Sequence, residues 1–162
     1  MALAECARRG CAIGGGGCLI TGSRQANYRL RLARGFLDEA RQDADLGRWR
    51  SAVDGAQLSV ENAAKAGLAL AGRIGRTHNP ATQIRRAIEE ERFDADLSEK
   101  LRRLAELSEL LGPDIHIQTD YGDEAEGRTP WELFTEEDAR QALAIVEEAV
   151  GIAEDLVRRF PS

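Results

Sequence analysis

The stretch WRSAVDGAQLSVENAAKAGLALAGRIGRTH, residues 49–78, decides the fold of this 162-residue chain. It contains no proline, and Ala and Leu fill most of its apolar positions, which favours a long helix over a strand. We predict a helix from about Trp49 to Gly72. Small side chains on one face would allow close packing against neighbouring helices, although such a stripe is also compatible with a subunit interface. The stripe consists of Ala52, Ala56, Ser59, Ala63, Ala66 and Leu70.

The residues on either side of this helix predict how it is connected. Upstream, apolar residues at every fourth position from Tyr28 to Leu46 predict an amphipathic first helix, which Gly47 ends. Downstream, Gly75 is expected to cap the long helix. Asn79 and Pro80 suit the N-cap and first turn of a short helix that extends to about residue 91.

Two stronger helices and a long connection are predicted in the second half of the chain. Regularly spaced Leu residues predict a helix from Asp94 to Leu111. A Thr135–Asp138 capping box predicts the start of the final helix, which extends to about residue 160. Residues 114–134 between them are predicted to be a loop, in which an acidic run is either a cation site or a solvated strip. The run consists of Asp120, Asp123, Glu124 and Glu126.

The N-terminal residues differ in composition from the rest of the chain. Their glycine run lacks the Lys of a phosphate-binding loop, and no apolar stretch is long enough for a signal peptide or a membrane span. An odd number of cysteines in one tail is a poor disulfide framework, which favours a cytoplasmic location. No metal site is expected among them. We predict a flexible tail over residues 1–23 and one helical domain over residues 24–162; the cysteines are Cys6, Cys11 and Cys18.

The composition favours an all-α protein with one core. Only 5% of the residues are aromatic and four are proline, while 43% are hydrophobic. The predicted fold is an antiparallel up-and-down bundle of four to five helices. A net charge of −6 argues against a surface coated with phosphate-binding cations, so any nucleic-acid site must be local.

Two stretches resemble the HEPN family (higher eukaryotes and prokaryotes nucleotide-binding domain). Residues 49–78, above all AQLSVENAAKA, resemble the second helix of that fold and the turn that follows it. PWELFTEEDARQALAIVEEAVGIAEDLV, residues 130–157, is similar to the last helix and its lead-in. The resemblance implies a helical bundle. It also implies that the chain is a metal-independent endoribonuclease that uses no cofactor and forms a homodimer. This enzyme would be the toxin of a pair whose antitoxin is a nucleotidyltransferase of the MNT type.

The resemblance also implies a catalytic pair. Family members that cleave RNA carry an Arg, four to six residues and a His, and Arg73 and His78 match the shortest form. A His can move a proton and an Arg can stabilise charge on a phosphorane. The segment from Arg73 to Arg86 contains no acidic residue, which predicts a local cationic patch for RNA or a nucleotide. Its binding residues would be Arg76, Asn79, Arg85 and Arg86.

The sequence leaves a second function open. Active members often have a polar residue after the motif Arg, where this chain has Ile74. Members that an antitoxin neutralises by AMP transfer have a Tyr two residues past the His, where this chain has Pro80. The alternative is a non-catalytic HEPN module that binds a nucleotide, RNA or a partner protein, or a dimeric adaptor. The second histidine, His116, is expected to be structural because no Arg stands at the required spacing.

Overall fold

The computed structural model describes residues 16–72, 79–90 and 93–160. In these residues the chain forms seven helices and one isolated bridge, between Asp123 and Arg128. The predicted all-α helical bundle is therefore confirmed. The helices are α1 (Gly16–Asp45), α2 (Trp49–Leu70), α3 (Pro80–Glu89), α4 (Ala95–Leu110), α5 (Pro113–Tyr121), α6 (Pro130–Leu133) and α7 (Glu136–Arg158).

Helices α1 and α2 form an antiparallel pair. Gly47 lies between them with a φ of 70°, in the left-handed region that glycine tolerates, and it ends α1 as predicted. Small residues let the two backbones approach closely: a Cβ added at Gly55 would lie 3.1 Å from the Cβ of Ala40. The Ser59 hydroxyl donates a 2.6 Å hydrogen bond to the Ala33 carbonyl on the facing helix. A larger residue at Gly55 would therefore separate the pair.

Helix α2 lies at the centre of the bundle. It packs against each of the other six helices in the described part of the chain. This position explains why every residue from Glu61 to Ala69 is buried, including the charged ones. A Cβ added at Gly67 would come within 2.9 Å of Leu101 and 3.0 Å of Leu104, both on α4. The added Cβ would also lie 3.5 Å from Leu156 of α7. The small residues of α2 are thus used for packing within the chain.

The helix ends follow the local sequence. Helix α2 ends two residues earlier than predicted, at Leu70, and Gly72 adopts a φ of 73° after it. The expected cap at Gly75 lies outside the described residues. The Asp94 side chain accepts a 2.8 Å hydrogen bond from the Leu97 backbone N–H, which fixes the start of α4. The predicted capping box at the start of α7 is present.

The prediction of a loop over residues 114–134 is wrong, because this segment contains α5 and α6. Gly112 and Pro113 suggested only the end of α4. Pro113 instead occupies the first turn of α5, where its missing N–H needs no partner, and Gly112 is the N-cap residue. Gly122 ends α5 with a φ of 74°. A proline after a glycine thus both ended one helix and began the next.

Helix α1 also begins earlier than predicted. It starts at Gly16 and not near Tyr28, so the expected boundary between tail and domain at residue 24 falls inside a helix. A Cβ added at Gly22 would lie 2.8 Å from the carbonyl oxygen of Ala69, and Ser23 is 4% exposed. Residues 22 and 23 therefore pack against the bundle. None of the helices in the described residues combines the length and the apolar run needed to cross a bilayer.

Candidate functional site

The predicted catalytic residues lie in the connection between α2 and α3. Arg73, Arg76 and His78 fall in residues 73–78, outside the described part of the chain. Both ends of this connection are described. It begins after Gly72, just past the central helix, and it ends before Asn79, which directly precedes the first turn of α3. The motif segment is thus attached to the C-terminal end of α2 and the N-terminal end of α3.

Helix α3 is an amphipathic helix that packs against α4 and α2. Its buried side consists of small or branched apolar residues, which are Pro80, Ala81, Ile84 and Ala87. Asn79 occupies the N-cap position and is exposed, but its side chain does not hydrogen-bond to the first turn of the helix. The outer side of α3 carries Arg85 and Arg86. Two of the four arginines in the predicted patch are therefore on a well-packed helix.

Arg85 is paired with a carboxylate from α4. Its Nη2 lies 2.6 Å from Glu109 Oε2, and its Nε lies 3.3 Å from Glu109 Oε1, so the contact is bidentate. The hydrogen bond to Glu109 raises the pKa of Arg85 above its usual value. Both side chains remain more than 40% exposed, at 42% for Arg85 and 47% for Glu109. The charge of Arg85 is therefore balanced by a surface partner.

Arg86 is also paired. Its Nε lies 3.2 Å from Oε1 of Glu90, one helical turn further along the chain. The run from residue 73 to residue 86 contains no acid, yet the fold brings Glu109 and Glu90 to its two described arginines. Exposed pairs of this kind are weak, so phosphate could displace either carboxylate. The described half of the patch is therefore neutral, with each arginine balanced by one carboxylate.

A line of buried polar side chains on α2 was not anticipated as a functional feature. Lys65 Nζ lies 2.6 Å from Glu61 Oε1, and Gln57 Nε2 lies 3.4 Å from Glu61 Oε2. All three residues are less than 9% exposed. Their spacing of four residues places them on one face of α2, along a line that leads towards Leu70 and the motif segment. The signal in the sequence was three polar residues at i, i+4 and i+8 along one face of the helix.

A second polar contact fixes α1 against α2. Arg29 Nη1 donates a 3.1 Å hydrogen bond to Asn62 Oδ1, and Asn62 Nδ2 donates to the Leu58 carbonyl at 2.8 Å. Asn62 is 6% exposed. The amide therefore satisfies both of its polar atoms within the bundle, as buried polar groups require.

His116 lies on α5 and not in a loop, and it is near two carboxylates. Its Nδ1 is 3.9 Å from Asp54 Oδ1 on α2, and its Nε2 is 3.7 Å from Asp120 Oδ2 on α5. We expected a structural role for His116 and treated Asp120 as part of an acidic strip. The fold instead groups these residues with Asp54, which lies far from them in the sequence.

The fold is an all-α bundle with a long buried central helix, and the motif segment follows the end of that helix. These two features define the class of protein. A family model described as HEPN domain matches residues 26–156. The chain belongs to the HEPN family, as its sequence suggested, and HEPN domains bind nucleotides or RNA and often cleave RNA. Such domains commonly form dimers. A comparison with curated proteins finds no match to this chain.

Proposed function

We propose that this chain is a HEPN-type metal-independent endoribonuclease, the toxin of a HEPN/nucleotidyltransferase pair in the cytoplasm. One observation carries the proposal. The sequence from Arg73 to His78 has the spacing of the family's cleaving motif, and it connects the central buried helix to the N-terminus of α3 in a chain that matches the HEPN family.

The proposed reaction is an internal transfer at an RNA phosphodiester. The 2′-oxygen attacks phosphorus, the bond to the 5′-oxygen breaks, and a 2′,3′-cyclic phosphate and a free 5′-hydroxyl form. The 2′-hydroxyl loses a proton and the leaving 5′-oxygen gains one, so no external reactant is needed. His78 moves one of these protons, and Arg73 stabilises the extra negative charge on the phosphorane oxygens. No metal ion or cofactor takes part in this scheme.

The proposed RNA-binding residues surround the same connection. Arg76 lies within it, Asn79 is the exposed N-cap residue of α3, and Arg85 and Arg86 lie on that helix. The N-terminus of a helix attracts phosphate through its free N–H groups and its dipole. The exposed pairs to Glu109 and Glu90 are weak enough for RNA phosphate to replace them.

A homodimer completes the proposed site. In the family, a cleaving site uses residues of both subunits, so one site here would contain two copies of Arg73 and two of His78. The proposed antitoxin is a nucleotidyltransferase. Because Pro80 stands where AMP-modified members have a Tyr, this antitoxin would act by a route other than AMP transfer to that position.

The test is RNA cleavage in the presence of EDTA. The purified chain should cut single-stranded RNA and leave 2′,3′-cyclic phosphate ends. His78→Ala and Arg73→Ala should each reduce the rate by about a hundredfold or more, the usual effect of removing a general acid or an oxyanion donor. His116→Ala is the matched control, since His116 is the other histidine of the chain, and it should leave the rate unchanged. Cleavage that persists in His78→Ala would exclude the proposed mechanism.

A non-catalytic module that binds a nucleotide, RNA or a partner protein is the second candidate. It is supported by Ile74, which follows the motif Arg, and by the carboxylate partners of Arg85 and Arg86. Binding of RNA without cleavage would favour this candidate. In that case Arg76→Ala should weaken binding and make it less dependent on salt, because one phosphate contact is lost.

A further inference from the structure

Asp54, His116 and Asp120 bring three potential metal-binding atoms together between α2 and α5. One oxygen or nitrogen atom from each side chain lies within 4.8 Å of the others. His116 Nδ1 lies 3.9 Å from Asp54 Oδ1, and the opposite ring nitrogen, Nε2, lies 3.7 Å from Asp120 Oδ2; a single ion would bind only one of these nitrogens. Donor atoms bound to one tetrahedral Zn²⁺ lie about 3.4 Å apart, as bond lengths near 2.1 Å require. A rotation of the His116 ring that turns one nitrogen towards both carboxylates would bring the three donor atoms from within 4.8 Å to ligand distances.

The backbone already places the three residues as metal ligands are commonly placed. His116 and Asp120 are four residues apart on α5, so their side chains lie on the same face of the helix. Asp54 comes from the neighbouring helix α2 and lies across from them. Two ligands at i and i+4 on one helix and a third from another element are typical of Zn²⁺ sites.

Arg50 holds each carboxylate through the oxygen that does not face His116. Arg50 Nη2 lies 3.3 Å from Asp120 Oδ1 and 3.7 Å from Asp54 Oδ2. The oxygens that face His116 are the other two, Asp120 Oδ2 and Asp54 Oδ1. Each carboxylate thus contacts the guanidinium with one oxygen and presents the second oxygen to the imidazole.

Helix α5 is fixed in place by the same residues. Arg50 Nε donates a 2.7 Å hydrogen bond to the carbonyl oxygen of Thr119, which ties α2 to α5. The Thr119 hydroxyl, which is fully buried, lies 3.1 Å from Asp54 Oδ1 and 2.9 Å from the His116 carbonyl. Outer groups of this kind orient metal ligands and limit their motion.

The local charge also favours a cation. Two carboxylates and one guanidinium leave one net negative charge beside the imidazole. Asp54, His116 and Asp120 are 23%, 46% and 38% exposed, so an ion can enter. Imidazole nitrogen suits Zn²⁺ and its neighbours, while carboxylate oxygen is accepted by most divalent ions. The mixed set therefore selects a first-row divalent cation over Ca²⁺ or Mg²⁺.

We propose that Asp54, His116 and Asp120 bind one Zn²⁺ or similar first-row divalent ion, which crosslinks α2 to α5. The site uses none of the proposed ribonuclease residues. Asp54 lies sixteen residues before the end of α2, which is about 24 Å along the helix. The ion would thus stabilise the bundle without taking part in RNA cleavage, and EDTA should leave cleavage intact.

The test is calorimetric titration of the full chain with Zn²⁺ alone, without RNA. Cys6, Cys11 and Cys18 could bind Zn²⁺ by themselves, so all proteins carry Ser at these three positions. The expected result is one Zn²⁺ per chain. Binding should also raise the melting temperature, because a ligand that binds only the folded state stabilises it.

Variants decide whether the ion binds at the proposed site. His116→Ala and Asp54→Asn should each weaken Zn²⁺ binding by about tenfold or more. His116 is 46% exposed, so its truncation should leave the fold intact, which circular dichroism would verify. His78→Ala and Asp123→Asn are the matched controls and should bind Zn²⁺ as the parent does. The proposal fails if the cysteine-free chain binds no Zn²⁺, if His116→Ala binds it unchanged, or if His78→Ala abolishes binding.

Discussion

Breaking the buried ion pair of α2 should strongly destabilise the bundle. The Lys65 ammonium lies 2.6 Å from the Glu61 carboxylate, and the two side chains are only 10% and 9% exposed. Glu61→Gln would leave the ammonium buried beside a neutral amide. Removing one partner of a buried pair destabilises proteins by 3–5 kcal/mol, and we expect about 3 kcal/mol here because a tenth of each side chain still reaches water. For a chain of this length, that lowers the melting temperature by about 6–12 °C.

The double variant separates the effect of the charge from that of the shape. In Glu61→Gln with Lys65→Met, no unpaired charge is buried, and the thioether fills the space of the lysine chain. The free energy of unfolding should therefore rise by about 1–2 kcal/mol over that of Glu61→Gln alone. The control is Glu154→Gln, whose pair with Arg34 has a similar distance of 2.7 Å but is exposed. It should change stability by less than about 1 kcal/mol.

The assay is urea unfolding followed by circular dichroism, with equal slopes required for comparison of the variants. The reasoning would be refuted if Glu61→Gln destabilised the protein no more than Glu154→Gln does. It would also be refuted if the double variant were less stable than Glu61→Gln. Either result would mean that Lys65 reaches water in the folded state, and that burial of its charge does not control stability.

Three further predictions concern packing, acid and assembly. Gly67→Val should destabilise the protein by about 1–3 kcal/mol, because its Cβ would come within 2.9 Å of Leu101, whereas Gly35→Ala, with nothing within 4 Å, should stabilise it by about 0.5–1 kcal/mol in urea unfolding. Arg103 lowers the pKa of Glu148 by hydrogen bonding. This pair therefore stabilises the fold above the usual Glu pKa, about 4.3, and the stabilisation is lost as the pH falls through the lower pKa of the folded state. In acid titrations, the difference in stability between the parent and Glu148→Gln should shrink. Light scattering should give twice the mass of one chain at micromolar concentration, and a single-chain mass would contradict the proposed homodimer.

The central helix could be predicted because its pattern is local. Small residues at helical spacing and the absence of proline indicate a buried helix, and the structure begins α2 at Trp49 as predicted. The starts of α4 and α7 are also local features, since each N-cap is a hydrogen bond between one side chain and the backbone N–H three positions later. Such contacts need no knowledge of the rest of the chain.

The partners of the candidate site residues could not be predicted, because they come from distant parts of the sequence. Glu109 follows Arg85 by 24 positions, and it reaches the arginine only because α3 and α4 pack together. Asp54 and His116 are likewise on separate helices. The charge pattern of one segment therefore overestimated the positive potential of the described half of the patch. In the same way, Asp120 was grouped with the acidic run of the predicted loop, and its position beside a histidine was not predicted.

The stretch that decides the fold also explains why its polar residues matter. Small side chains on α2 let the neighbouring helices approach closely, and this close packing leaves Gln57, Glu61 and Lys65 less than 9% exposed. Glu61 and Lys65 are paired with each other, since an unpaired buried charge destabilises a protein strongly, whereas the neutral Gln57 Oε1 is buried without a hydrogen-bond partner among the described residues. Helix α2 therefore combines two requirements that usually conflict, tight packing and buried charge. A bundle stabilised by packing alone would not need the charged residues, and the stability of this one therefore depends on keeping Glu61 and Lys65 paired.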